Sequence, residues 1–490
     1  MDYALASMTC NNGTLNVFQP NQQSPWNAAK IKHTYRRLAF GASQNEVDEK
    51  LTLTPAELID ELVDSAYNLP PTPAPSWGYY SNADFPNYVA ENGPNFSYWR
   101  NQTIQDLLND NLRGRLTFFW MNHFVTEHEV YGHAPYAFQY YNTLQTHALG
   151  NFKELVRVIG KNPAMLIYLN GFENTNNSPN ENYARELLEL FTLGEGNGYS
   201  QGDIINTARA LTGFNHRDAL GGAIYFDSST FDDGQKTIFG QTGNWGYDDV
   251  IDILFAQRGT EIGLFICEKL YAYFVSPIID SLVRTNIIQP LAQTFVSNNF
   301  ELVPVLKQLF KSEHFYDENA RGTIIKSPYD VILGFIKESG LYCDQNYFDS
   351  LIYHCILIDQ DIYNPPDVAG WQRDETWINT STVTGRWKLL ESYINYLMSN
   401  GHGQNLVNLA KELSNDSTDP VFITKVVTDH FMARELYSQI DYDIATNIFK
   451  ADVPQNYYDN NLWNLDWTSA PHQVSQLLKH LAKIPDFQLK

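Results

Sequence analysis

The chain has 490 residues, 43% of them hydrophobic and 18% charged. That is enough apolar side chain for one large core or two smaller ones, and it excludes intrinsic disorder. The formal net charge of −23 opposes nucleic acid and anionic membrane surfaces, so neither is expected as a partner. No apolar run approaches the roughly 18 residues of a membrane-crossing helix, and no membrane span is expected.

Residues 1–28 read as an irregular N-terminal arm, with NNGT and QPNQQSP as turn material. The arm lacks a basic stretch followed by an apolar block, so no signal peptide is expected in the chain as given. Helices are predicted over 26–38 and 54–67, the second opened by the capping box Thr54-Pro55-Ala56-Glu57. Residues 69–96 read as a long loop rich in Pro, Gly, Asn and aromatics. Its Trp77, Tyr79, Tyr80 and Tyr88 either line a cleft or pin the loop down. A long helix is predicted over 99–125. Its second half is apolar nearly all round, which makes it central and buries His123, either as a hydrogen-bonded core histidine or as a functional group.

Glu127, His128, Glu129 and His133 form the densest cluster of metal-ligand types. There is no HExxH, and His128 and His133, five apart, do not share a helical face. No metal site is therefore assigned; a divalent metal, if one binds, would have His128 and His133 as candidate ligands. No motif requires a cofactor. Cys10, Cys267, Cys343 and Cys355 form no CxxC, which argues against a structural zinc. Cys267 is expected as a buried thiol, and a Cys343–Cys355 disulfide stays open.

The stretch Ser178–Gly194, SPNENYARELLELFTLG, carries a full set of helix signals. Ser178 is a cap, Pro179 suits the first helical position, Glu181 closes a capping box and Gly194 suits the left-handed residue after the end. Glu181, Asn182, Arg185, Glu186 and Glu189 share one polar arc, opposite Tyr183, Leu187, Leu188 and Phe191. A solvated ion-pair ladder is one reading. A polar pocket at the helix N-terminus, with Asn180 in it, is the other. The next helix is predicted over 200–211, with Arg209 beside its core stripe and expected to meet Glu186 or Glu189. Strand signals at 223–227 and 236–239 predict a small inserted hairpin. Several helices follow, broken by a rigid loop over 362–377 with Pro365, Pro366, Gly370, Trp371 and Trp377.

NENYARELLELFTLG followed by YSQGDIINTARALTGF resembles the bacterial domain-of-unknown-function 1800 family. YRRLAFGAS, FFWMNHF, HALGNFKELV, NPAMLIYLN, FDDGQKTIFG, KLYAYFVSP and NPPDVAGW fit the same pattern in order, over roughly residues 30–390. The resemblance implies a mainly helical protein, often exported, whose gene often neighbours that of a sulfatase-like family, domain of unknown function 1501. Members often begin the FDDGQK motif with His-Asp; this chain has Phe231 before Asp232.

The expected fold is mainly α, a large multi-helix domain over 29–400 with a small β-hairpin near 223–239 and a C-terminal helical extension over 401–490. Export or a periplasmic location is favoured over the cytoplasm. The expected function is a polar, helix-lined pocket, read as a hydrolase acting on envelope or extracellular polymers; the alternative is a non-enzymatic partner of the sulfatase-like neighbour. Glu181, Glu186 and His123 are the candidate catalytic groups. Asn180, Arg185, Glu189, Arg209, Asp232 and Lys236 are the candidate binding groups.

Overall fold

The structure is a computed structural model and describes residues 13–490; Cys10 and the first part of the N-terminal arm lie outside the described residues. Helices dominate, and the strands among the described residues are four short segments in two antiparallel pairs. The segments near 223–239 do not form one hairpin. Tyr225–Phe226 pairs with Phe214–His216, and Lys236–Ile238 pairs with Gln241–Gly243. Each strand finds a nearer partner across its own turn, so the Asp232-Asp233-Gly234 stretch is a connection between sheets.

The centre is the helix Asn111–Met121, buried from Leu112 onward. It packs against Pro55–Asn68 and Ala134–His147, and Leu116 and Phe119 are fully enclosed. The single helix expected over 99–125 is two, Tyr88–Asn109 and Asn111–Met121. The break falls where Asn111 takes a φ of +47°. There the Asp110 carboxylate accepts from Gln145 at 3.2 Å and from Arg113, contacts that a continuous helix would misplace. The expected loop over 69–96 likewise ends early. Asn87 accepts from the Ala90 N–H at 3.2 Å and starts a helix that absorbs Pro94, at the loss of one backbone hydrogen bond.

The long helix Tyr247–Phe274, kinked at Arg258, lies on Gln289–Ser297. Leu187 and Leu188 of the 178–194 stretch are enclosed, as their arc requires. Towards the C-terminus, Phe431 stacks on Phe335 at 5.0 Å, and Arg36 donates to the carbonyls of His430 and Met432. The last residues are stitched beside the start of Pro328–Ser339. The Lys326 N–H donates to the Gln488 carbonyl at 2.8 Å, and Arg386 Nε donates to Gln488 Oε1 at 2.7 Å. This brings the Lys490 side chain into the interior. Cys267, Cys343 and Cys355 are free thiols, so Cys343 does not pair with Cys355; burial pushes the Cys343 thiol up to about 12.

Leu187→Ala should cost about 2–5 kcal/mol, the range for deleting an enclosed leucine. Urea unfolding of the purified chain checks this, and a loss near zero would place Leu187 outside the core.

Candidate functional site

The 178–194 stretch starts later than its capping signals indicate. The Asn174 side chain accepts from the Asn180 N–H at 2.9 Å and holds the chain out of helix. Asn180 Oδ1 then accepts from the Asn182 N–H at 2.9 Å, and the helix begins at Asn182. Asn180, not Ser178, is the capping side chain. Glu181 closes no capping box, and Gly194 adopts φ +91°, ψ +151° instead of the left-handed helical conformation.

Arg185 bridges Glu181 at 3.1 Å and Glu189 at 3.2 Å. The Arg185 and Glu181 side chains are more than a third exposed, so this is a solvated ladder worth a few tenths of a kcal/mol per pair. Glu186 is half-buried, and burial followed by the Glu189 charge raises its pKa. Arg209 does not reach these carboxylates. It grips Asp232 with two bonds, Nε to Oδ2 at 2.7 Å and Nη2 to Oδ1 at 3.1 Å. The residue of that helix that meets Glu181 is Gln201, at 2.8 Å. Arg209 lies eight residues further on, about 12 Å along the axis. Asp232 also accepts from the Gly234 N–H, and the enclosed Lys236 donates to the Asp232 and Gly234 carbonyls while lying 4.7 Å from the Phe231 ring. Phe231, at the position where the family pattern has histidine, covers that lysine. The Arg209–Asp232–Lys236 group therefore closes on itself.

The two histidine candidates for a metal face different partners. His128 stacks on Phe96 at 3.4 Å, and burial lowers its pKa to about 4. His133 donates through Nε2 to the Tyr80 carbonyl at 2.9 Å. No group of three or more His, Cys, Asp or Glu among the described residues is placed to hold a metal ion.

His123 is buried, and its partners are neither Glu181 nor Glu186. Its Nε2–H donates to the Phe191 carbonyl at 2.9 Å, which leaves Nδ1 to accept from Lys269 Nζ at 3.3 Å. Lys269 also donates to the Leu190 carbonyl at 3.4 Å. Both carbonyls belong to Leu187–Leu193, which winds as a π-helix. Such wide turns recur at functional sites; here the segment supplies two carbonyls, one to His123 in the turn after Asn111–Met121 and one to Lys269 on the helix Tyr247–Phe274. Burial, then the Arg373 charge, lowers the Lys269 pKa to about 7.

Beyond this pair lies a cavity of about 50 Å³, lined by Phe118, Asn122, Tyr273, Asp330, Trp371, Arg373 and Lys490 among others. At roughly 10–15 Å³ per water, it admits a few water-sized groups. Asp330 is its anchor. The carboxylate accepts from the Ser327 N–H at 3.0 Å, while its own N–H donates to Ser327 Oγ at 3.2 Å, capping the helix Pro328–Ser339. It is also paired with Arg115 and, at 2.7 Å, with Lys490 Nζ. The Arg115 and Lys490 charges outweigh its burial and hold its carboxyl far below the usual carboxylate range. Burial brings Lys490 down to about 7.

Two polar groups of the cavity have no hydrogen-bond partner among the described residues. The Arg373 guanidinium makes no hydrogen bond or ion pair with any described residue, and its enclosure lowers its pKa. The Tyr273 hydroxyl is buried without a hydrogen-bond partner among the described residues, and burial lifts it to about 12. Beside Arg373, Asp374 holds a φ of +53°, a conformation that costs a non-glycine residue about 1 kcal/mol or more and often marks functional positions. Burial raises the Asp374 pKa.

The loop bearing Arg373 and Asp374 is fixed at one point. Asn122 Oδ1 accepts from the Trp371 N–H at 2.6 Å and Nδ2 donates to the Trp371 carbonyl at 3.4 Å, while Trp371 stacks on Phe118. Gly370 takes φ +90°, and a Cβ there would run into the Asn122 side chain, so this close approach requires glycine.

A family model described as "Protein of unknown function (DUF1800)" matches residues 33–489. The chain belongs to the DUF1800 family. No curated protein and no solved structure matches it. The match runs through the C-terminal helices, beyond the span of roughly 30–390 carried by the motifs. Three of the DUF1800 motifs contribute to the cavity lining: Phe118 and Asn122 come from FFWMNHF, Ala272 and Tyr273 from KLYAYFVSP, and Trp371 from NPPDVAGW. Arg115, Asp330, Arg373 and Lys490 were not among the sequence candidates. Their nearest signals were the KSPYD helix start and the position of Arg373 just after the tryptophan motif.

Arg115→Ala should cost about 3–5 kcal/mol, because it removes a partner of a buried carboxylate. Arg373→Ala, which breaks no pair, should leave the unfolding midpoint unchanged or raise it. Chemical unfolding of both variants checks the contrast, and equal losses would mean that Arg373 has a structural partner. A second test uses pH. The folded Lys269 binds fewer protons than the unfolded one between about pH 7 and its ordinary value of 10.5. It therefore makes stability rise with pH across that window. Lys269→Met should show a smaller rise in melting temperature from pH 7 to pH 9 than the wild type; an equal rise would refute the assignment.

Proposed function

We propose that this DUF1800 protein binds the oxyanion head of a ligand, a carboxylate, sulfate or phosphate, in the cavity between Arg373, Lys490 and Tyr273. The observation that carries the reading is the Arg373 guanidinium, half-buried and without a partner among the described residues. Its planar fork of donors matches an oxyanion. The volume suits such a head and not a whole sugar or nucleotide, so the rest of the ligand would lie outside the cavity. The net charge of −23 does not oppose this. Long-range repulsion is screened beyond about 8–10 Å at physiological salt, whereas the cations act at contact inside the protein.

One observation favours chemistry in addition to binding. Asp330 is held ionised while burial raises Asp374, and two carboxyls pushed apart in this way mark acid and base assignments. The hydrolase expectation accordingly moves from Glu181 and Glu186 to Asp374, as proton donor to a bond beside the bound anion. Asp374→Asn should then retain anion binding and lose turnover of an acidic oligosaccharide; loss of both, or of neither, would remove the proton-donor role.

Titration of the protein with sulfate should show saturable binding that Arg373→Ala weakens about 10- to 100-fold, the worth of a charged hydrogen bond. Affinity should fall as pH rises through about 7, because Lys490 loses its proton there while sulfate keeps its charge. Binding that is insensitive to Arg373→Ala, or that strengthens with pH, would overturn the proposal.

A further inference from the structure

A second cavity, of about 470 Å³, lies between the helix Ala28–Leu38, the segment 318–321 and the chain just after the helix Pro420–Phe431. Its volume falls within the roughly 300–1,000 Å³ of small-molecule sites. The cations Lys32, Arg36, Arg321 and Arg434 line it, with the carboxylates of Glu318, Asp429 and Glu435. The carboxylates are already matched. Glu318 accepts from Lys30 and from Arg321, each at 2.6 Å, and Asp429 and Glu435 share Lys425. Arg36 is matched too, by the enclosed Glu338 and by the carbonyls of His430 and Met432.

Lys32 and Arg434 remain, and neither has an ion pair among the described residues. Lys32 Nζ donates to His430 Nδ1 at 2.9 Å, which is free to accept because Nε2–H goes to the Glu338 carbonyl at 2.7 Å. Burial and the Arg36 charge outweigh the more distant carboxylates and bring the Lys32 pKa down to about 8. Arg434 and Arg321 are fixed from opposite walls. Arg434 Nη2 donates to the Glu318 carbonyl at 2.6 Å, and Arg321 Nη2 donates to the Ala433 carbonyl at 2.7 Å. The backbone beside each arginine thus positions the other, although the two charges repel: burial, then the Arg321 charge, lowers the Arg434 pKa. That Nη2 bond is the one hydrogen bond Arg434 makes among the described residues, so Nε and Nη1 stay available. Lys32 and Arg434 are both partly exposed and both face the cavity, so a ligand can reach them.

We propose that this cavity binds a small organic anion, a phosphate monoester or a carboxylic acid, with its charged head between Arg434 and Lys32. The chain has 33 Lys and Arg against 56 Asp and Glu, so two unmatched cations in one cavity are not what composition alone would give. A guanidinium already fixed by a backbone carbonyl loses little freedom on taking up an oxyanion, and its fork fits one. Ala28, Ala29, Met432 and Ala433 line the same space with apolar surface, which suits a short aliphatic body behind the head. Other occupants fit worse. A cationic ligand would meet the surplus positive charge, and a hydrocarbon would strip water from Lys32 and Arg434 without giving them a counter-charge. The site is separate from the Arg373 cavity and shares no lining residue with it.

The test is calorimetric titration of full-length Arg373→Ala, in which the other anion site is impaired, with glycerol 3-phosphate and with malate. The same titrations are run after adding Arg434→Gln or Lys32→Met. At least one of the two probes should bind saturably, and each added substitution should weaken it about tenfold or more, the worth of a charged hydrogen bond. Binding of glycerol 3-phosphate alone assigns the head as phosphate, and binding of malate alone assigns it as carboxylate. A native melting transition confirms that each variant is folded. Lys32→Met breaks no ion pair and decides the matter should Arg434→Gln fail to fold. Absence of binding by both probes, or binding that survives the folded variants, overturns the proposal. Failure of sulfate to bind at Arg373 leaves this outcome untouched, because the titrations are made without that side chain.

Discussion

The interior depends on how the Asp330 carboxylate is held. It caps the helix Pro328–Ser339 through Ser327, and it pairs with Arg115 from the central helix and with Lys490 from the last segment. Three parts of the chain far apart in sequence meet at one carboxylate. Burying these charges is costly, and the geometry offsets the cost only where the groups are paired. Asp330 is over-supplied with cations, and Arg373 stands nearby with none of the described residues as a partner. A surplus of positive charge in an enclosed space is therefore built into the packing. The Asn122–Trp371 clamp and Gly370 hold the loop that carries the surplus.

The polar groups on the 182–193 helix serve a different purpose. Arg185, Glu181 and Glu189 are open to water and paired with one another, so they specify which side of the helix faces out. The inward contribution of this segment is its backbone. The π-helical turns turn the carbonyls of Leu190 and Phe191 towards Lys269 and His123. The Phe191 carbonyl fixes the His123 proton on Nε2, while burial and the Arg373 charge bring the Lys269 pKa down to about 7.

Much of the fold was legible because it follows from local pattern. The apolar second half of the helix predicted over 99–125 announced a buried helix, and the Leu187–Leu188 arc announced a core face. The rigid Pro365–Trp377 loop could be read from its prolines and tryptophans. The breaks were less visible: nothing local marks Asn111 as left-handed, and the Asn174–Asn180 bond that delays the helix start is a tertiary decision. The cavity around Arg373 was not legible for a related reason. Charges at one-turn spacing stand out in a sequence even when solvated, whereas Arg115, Lys269, Asp330, Arg373 and Lys490 come from distant segments and share no spacing. Arg209 illustrates the limit. Its need for a carboxylate was readable, but the choice of Asp232 depended on where the loop after the first small sheet returns.

The most direct measurement is a crystal structure of the protein grown with selenate, an anomalous-scattering analogue of sulfate. An interior anion site predicts a selenium peak in the cavity, within hydrogen-bonding distance of the Arg373 guanidinium and Lys490 Nζ, and no such peak in Arg373→Ala. A cavity without selenium, with Arg373 turned onto a carboxylate of the protein itself, would contradict it.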